Sequence, residues 1–212
     1  MKTTVFIMQG GPATGKTTIG LRLAQSLNIP YFSKDGVKEP IFDAVGCPVA
    51  WETDEPLSGK KMDDAAISIL FYVIAMQLQA GRTCIIDSTF EACHAPTLRV
   101  LKSQHPFTPI QILCRAEAGE LAKRYIRRAE TGERHPGHLD QALSDAFDME
   151  QLNLTYQQPL DIGGHVLSVD STDFKEEDYQ KLLHSIKQLI DEERALKTIK
   201  PFADSSNPSV AS

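Results

Sequence analysis

Cysteine is scarce in this chain. Four occur in 212 residues (Cys47, Cys84, Cys93 and Cys114), and no two form a C-x-x-C pair. That removes the sequence basis for a disulfide framework and reads as free thiols in a reducing compartment. Cys84 and Cys114 sit inside apolar, strand-like runs, where cysteine serves as a small core residue. Long hydrophobic runs are also missing. The longest, from Ala65 to Ala80, is interrupted by Ser68, Gln77 and Gln79. It is short of a membrane span and predicts a buried helix ending at Gly81. A single Lys before "TTVFIMQ" leaves too little for a signal-peptide core. Positive charge is not in excess, because 22 Lys and Arg stand against 28 Asp and Glu for a net charge of −6. A polynucleotide partner would call for a basic surface, so a long nucleic acid is disfavoured. These absences predict a cytoplasmic protein with no membrane partner. No N-K-x-D sequence reads guanine, which disfavours a GTP switch, and no internal repeat is visible.

What is present alternates. Thr3–Gln9 is a strand-forming run that stops at Gly10-Gly11-Pro12. From Lys16 the period becomes helical, with Ile19, Leu23 and Leu27 on one face, and Asn28 and Pro30 end the helix. Tyr31–Ser33 is a brief strand, and Val37–Val45 a helix closed by Gly46. Residues 47–59 are rich in turn formers. Thr83–Asp87, Thr108–Cys114 and His165–Asp170 read as strands. Pro96–Lys102, Glu117–Ala129 and Leu139–Tyr156 read as helices. Ser171 to Asp173 would cap a last helix carrying Leu182, Ile186 and Leu189, whose acidic first turn (Glu176, Glu177, Asp178) suits the helix dipole. Strands alternating with helices, several of them apolar throughout, imply an α/β fold with a parallel sheet covered on both faces. One domain is expected over residues 1–197, with a polar, disordered tail at 198–212. Ligands of such sheets bind beyond the carboxyl ends of the strands. Three polar clusters belong there: the loop after Gln9, Ser33-Lys34-Asp35, and Asp87-Ser88-Thr89.

Gly10 to Thr17 matches G-x-x-x-x-G-K-[ST] in full. The backbone of Gly10, Gly11, Pro12, Ala13, Thr14 and Gly15 would wrap N–H groups around phosphate oxygens. Lys16 adds charge at the β/γ end, Thr17 offers a hydroxyl to Mg²⁺, and Thr18 continues into the helix whose N-terminus faces the same anion. The motif follows a predicted strand and opens a predicted helix, which is its confirming context. Asp87, at a strand end, is placed to support Mg²⁺; the plainer alternative is a solvated Asp capping the next turn.

Whether the phosphate is transferred depends on other residues. Asp35 is the candidate base for an acceptor hydroxyl, although "SKDG" is equally good β-turn chemistry. Arg124, Arg127 and Arg128 are spaced i, i+3, i+4, and Arg134 follows in a loop. They could close over a triphosphate as a lid over about residues 117–138, or simply complement a helix dipole on a solvated face. Ser88 could orient an acceptor or serve a turn. Trp51 and Glu52 could border an acceptor pocket, or Trp51 could be packing. A metal site at His135 and His138 is disfavoured because no further ligand cluster accompanies them.

"GGPATGKTTIGLRLAQSLNIPYFSKDGVKEPIFDAVG", "IIDSTF" and "CRAEAGELAKRYIRRAETGERHPGH" together resemble the small P-loop kinases of the zeta-toxin, chloramphenicol phosphotransferase and polynucleotide-kinase type. The resemblance covers most of Thr3 to Leu139. It implies an adenylate-kinase-like three-layer sandwich with a five-stranded sheet in the order 2-3-1-4-5. It matches Asp35 to the base that activates an acceptor hydroxyl, Lys16 and Thr17 to the phosphate and Mg²⁺ groups, and Arg124, Arg128 and Arg134 to the lid. Ser171 and Thr172 would border the adenine. The implied activity is transfer of the γ-phosphoryl of ATP to a hydroxylated small molecule such as a nucleoside, sugar or antibiotic, by a monomer or homodimer. The alternative is a P-loop ATPase or nucleotide-binding regulatory module without a small-molecule acceptor.

Overall fold

Strands without polar alternation have no face to give to water, so they are covered on both sides. The computed structural model describes residues 3–51, 53, 57–132, 134–138, 155–156 and 158–198. Its sheet consists of β1 (Thr3–Gln9), β2 (Tyr31–Ser33), β3 (Cys84–Asp87), β4 (Phe107–Arg115) and β5 (His165–Asp170). The order is β2-β3-β1-β4-β5 and every pairing is parallel. This is the order implied by the family resemblance. The three central strands are buried almost without interruption, whereas edge strand β2 is half-buried and edge strand β5 is mixed. Pro109 has no N–H to give to a ladder; it stands one residue before β5 joins β4 at Ile110.

The helices are α1 (Lys16–Leu27), α2 (Lys34–Val45), α3 (Gly59–Gln79), α4 (Ala95–Gln104), α5 (Ala118–Thr131) and α6 (Glu176–Thr198). Asn28 closes α1 in the left-handed region, as its position in the sequence predicts. Two helices start earlier than the apolar periodicity indicates, because serine caps decide where they begin. Ser33 Oγ accepts from Gly36 N at 2.9 Å, so α2 opens at Lys34 and the "SKDG" segment is a helix start, not a β-turn. Ser58 caps α3 in the same way. The helix expected to be buried over 65–80 is buried along one face only. Met62, Ala66, Leu70, Ile74 and Leu78, spaced four apart, face inward, while Tyr72 and Ile69 are exposed.

Leu70 and Ile74 of α3 and Leu98 of α4 pack with Val5, Ile7, Ile86 and Phe107 of the sheet into the main core. Ile86 is fully buried there. Ile86→Ala should therefore cost about 2–5 kcal/mol, read as a lower urea midpoint at unchanged slope.

Residues 1–173 form one compact unit and residues from 174 onward a second. Within the second, α6 has Tyr179, Leu182, Leu183 and Ile186 as its buried positions and begins with Glu176, Glu177 and Asp178. The helix expected over 139–156 lies, except for Thr155 and Tyr156, outside the described residues, as do the tail from 199 and Glu52. No helix among the described residues is long and apolar enough to cross a membrane.

Candidate active site

The loop between β1 and α1 is shaped by close backbone approach. A Cβ on Gly10, at φ +145°, would overlap the carbonyl oxygen of Cys114, so only glycine fits. Thr14 Oγ1 donates to Gly11 O at 2.8 Å, and Lys16 Nζ reaches back to the same oxygen at 3.1 Å. Gly15 caps α1 in the left-handed region and offers no side chain, leaving the first-turn N–H groups of α1 without a side-chain acceptor. Burial lowers the pKa of Lys16 from its ordinary value, opposed by the nearby carboxylates of Asp87 and Asp35. The loop is thus a cradle of donors facing one ammonium group.

Asp87 ends β3 beside this cradle. Its Oδ2 accepts from Thr17 Oγ1 at 2.7 Å and from Tyr31 OH at 2.5 Å. Burial, reinforced by Asp87, raises the Tyr31 pKa and keeps its hydroxyl a donor. Asp87 is itself only 3% exposed, and its Oδ1 is buried with no hydrogen-bond partner. A buried carboxylate oxygen without a partner is costly unless something positive meets it. With the Thr17 hydroxyl bonded to the other oxygen of the same carboxylate, the residues fit a hard divalent cation held by oxygen ligands, as Mg²⁺ is.

Asp35 lies in the first turn of α2, across the same cavity. Its Oδ2 accepts from Arg134 Nη2 at 2.8 Å. Burial disfavours the charged form of Asp35. The Arg134 guanidinium, with His138, Lys38 and Lys16 around it, nevertheless holds the carboxyl below the usual carboxylate range. The cavity, about 330 Å³, is lined by Lys16, Thr17, Asp35, Asp87 and Arg134 among others, so the three polar clusters expected at the strand ends do converge.

Its far wall was not legible in the sequence. Asp63 of α3 accepts from Lys34 Nζ and from Lys38 Nζ, each at 2.8 Å. Burial opposes ionisation of Asp63, but the two lysines lower its pKa on balance. Lys38 is buried and lies 5.4 Å from the centre of the Trp51 ring. Trp51 lines the cavity and also packs over Gly59, whose added Cβ would meet its ring. Ser88, in the cavity wall, has a buried hydroxyl with no hydrogen-bond partner.

The arginines expected to form a lid divide. Arg134 reaches Asp35. Arg124 is held by Glu120 at 2.9 Å and donates to the carbonyls of Ser171 at 2.8 Å and Thr172 at 3.0 Å, which ties α5 to the segment after β5. Ser171 Oγ in turn bonds Thr14 O at 2.8 Å, joining that segment to the phosphate loop. Arg128 lies 5.8 Å from the ring centre of Tyr125, a cavity residue. Arg127 is exposed.

Residues 134–138 lie along one face of α2. Arg134 meets Asp35, His138 Nε2 lies 3.0 Å from Glu39 Oε1, and His135 Nε2 lies 3.1 Å from Asp43 Oδ1. The Phe42 ring sits between the two imidazoles, 5.3 and 5.5 Å from their centres. A Cβ on Gly137 would overlap that ring. Gly137→Ala should therefore lift the segment off α2, at about 1–3 kcal/mol of stability, and release α2 amides to faster hydrogen exchange than those of α3.

The fold and this loop define a P-loop nucleotide-binding protein of the kinase-like kind. A family model described as an AAA domain matches residues 5–149, and the chain belongs to that family. It is similar to a candidate kinase from Chloroflexus aurantiacus J-10-fl at 32% identity, over 88% of this chain and 97% of that one, with a TM-score of 0.74. It shares its fold with a gluconokinase from Sinorhizobium meliloti 1021 (16% identity, 92% and 97% of the two chains, TM-score 0.54). It also shares it with Kti12 from Chaetomium thermophilum, solved with ADP-AlF3 (14% identity, 88% and 98%, TM-score 0.57). No curated protein matches the chain.

Proposed function

We propose that the protein is an ATP- and Mg²⁺-dependent phosphotransferase that moves the γ-phosphoryl of ATP to a hydroxyl of a small molecule, of the nucleoside, sugar or antibiotic class. The observation that carries this reading is the placement of Lys16, Asp87 and Asp35 around one cavity of about 330 Å³, a size that suits a small acceptor. The loop Gly10 to Thr18 would hold the phosphates, with Lys16 at the transferring group. Thr17 and Asp87 would hold Mg²⁺, which supplies charge neutralisation on the phosphate oxygens. Asp35 takes the proton of the acceptor hydroxyl as its oxygen bonds to the γ-phosphorus. The bond from that phosphorus to the β–γ bridging oxygen breaks, and ADP leaves. Arg134, with Arg124 and Arg128 behind it on α5, closes the site and excludes water.

The wall around Asp63 supports an acceptor that is not a polyanion, since Lys34 and Lys38 share that carboxylate and Arg134 is matched by Asp35. Likeness to the zeta-toxin and chloramphenicol phosphotransferase type supports the same chemistry. Free thiols at all four cysteines suit a reducing, cytoplasmic setting. The rival reading is a nucleotide-binding module with no small-molecule acceptor; Kti12, which shares the fold, is solved with ADP-AlF3. The test is ADP release from ATP·Mg²⁺ across a panel of hydroxylated metabolites and antibiotics. A compound that stimulates release and gains a phosphate by mass spectrometry establishes the kinase. Slow hydrolysis that no compound stimulates, and that Asp35→Asn leaves unchanged, establishes the module.

A further inference from the structure

We propose that Glu39 and His138 are positioning residues that fix Arg134 against Asp35 and thereby set the condition of the base. The catalytic consequence rests on the kinase reading; the arrangement itself does not. Arg134 Nη2 lies 2.8 Å from Asp35 Oδ2 and 3.1 Å from His138 Nδ1. That nitrogen carries two hydrogens, one for each partner. His138 Nδ1 must then be an acceptor and bear no proton. The ring's remaining hydrogen is on Nε2, which lies 3.0 Å from Glu39 Oε1, an acceptor. Every contact is satisfied when His138 is neutral with its proton on Nε2, Arg134 donates to Asp35 and to His138 Nδ1, and Glu39 accepts from Nε2. The outer partner fixes the tautomer of the inner one, as a carboxylate bonded to the far nitrogen of a histidine does elsewhere.

The environment favours the same pattern. The His138 side chain is 2% exposed. Burial, and next Arg134, push its pKa down to about 3, against the pull of Asp35, while Lys38 and His135 add to the depression. From its own segment, then, Arg134 and His135 act on it; from α2, Asp35, Lys38 and Glu39 do. A protonated His138 would set an N–H against the Arg134 N–H and break the chain of contacts. Glu39 is four residues beyond Asp35, one turn along the same helix face, so α2 supplies both ends of the chain. The spacing of Arg134 and His138 is likewise four.

The chain of contacts predicts that the two isosteric replacements of His138 differ. Asparagine places a carbonyl near the Nδ1 position and keeps an acceptor for Arg134. Glutamine reaches toward Glu39 and leaves Arg134 without that acceptor. The experiment follows the Asp35 carboxyl by ¹³C NMR through an acid titration of the full chain without ligands, with Asp35→Asn assigning the signal. In the native protein Asp35 titrates below the usual carboxylate range, held there by Arg134. In His138→Gln its titration rises by about 1 pH unit or more, the scale of an Arg–Asp contact. In His138→Asn it rises by less than half as much. Glu39→Ala, at a half-exposed position on α2, raises it in the same direction.

Equal behaviour of the Asn and Gln variants overturns the proposal, as does an Asp35 titration that no variant moves. If the His138 variants do not fold, Glu39→Ala decides alone: an unmoved Asp35 signal overturns the proposal and an upward shift supports it. The readout needs no turnover. A shifted Asp35 in a protein that phosphorylates nothing therefore supports the arrangement and removes only the kinase reading.

Discussion

Asp35→Asn is expected to lose phosphoryl transfer by about 10²–10⁴-fold, the range attributable to a general base, while ATP·Mg²⁺ still binds. The substitution is nearly isosteric, and the amide oxygen can still accept from Arg134, so the docking of residues 134–138 on α2 should survive. What disappears is the carboxylate that takes the acceptor's proton. The phosphate loop, Lys16, Thr17 and Asp87 come from β1, α1 and β3, where Lys16 bonds Gly11 O and Thr17 bonds Asp87, whereas Asp35 bonds Arg134. Nucleotide affinity by calorimetry and acceptor phosphorylation by mass spectrometry should therefore separate cleanly. Equal loss of both would mean that Asp35 supports the fold of the site, not the chemistry. Loss of neither would remove it as base.

The second large effect is expected at Asp87. In Asp87→Asn an amide oxygen can keep the Thr17 and Tyr31 hydroxyls satisfied, but the negative charge is gone and an NH₂ group takes the place of the partnerless Oδ1. The Mg²⁺ concentration needed for tight ADP binding should rise about 10–100-fold, the scale seen when a metal's supporting ligands are altered. Binding of ADP without Mg²⁺ should change far less. Calorimetric titrations with and without the metal distinguish these. An unaltered Mg²⁺ requirement would reduce Asp87 to a clamp between β2 and α1.

The central strands were legible because burial on both faces leaves a continuous apolar run; β1 and the less buried edge strands β2 and β5 fall on the residues the sequence indicates. The phosphate loop was legible because its chemistry needs contiguous residues. Helix starts were less so. A 3.6-residue apolar period cannot register a capping serine ahead of a charged first turn, which is why α2 and α3 open at Lys34 and Gly59, not at Val37 and Ala65. The far wall was not legible at all. Asp63 meets Lys34 and Lys38 across 29 and 25 residues, and Glu39 meets His138 across 99. Separations of that kind leave no periodic trace, so nothing in the sequence singles out Lys38, Glu39 or Asp63. His135 and His138, weighed in the sequence only as metal ligands, instead bond carboxylates of α2.

The chain has one tryptophan, and it stands in the cavity wall with a lysine ammonium over its ring. All of the protein's indole emission therefore originates beside the place where an acceptor would sit. Ligand occupancy, quenching and the rate of site closure can be followed optically on the unlabelled native chain, with no background from a second chromophore of that kind.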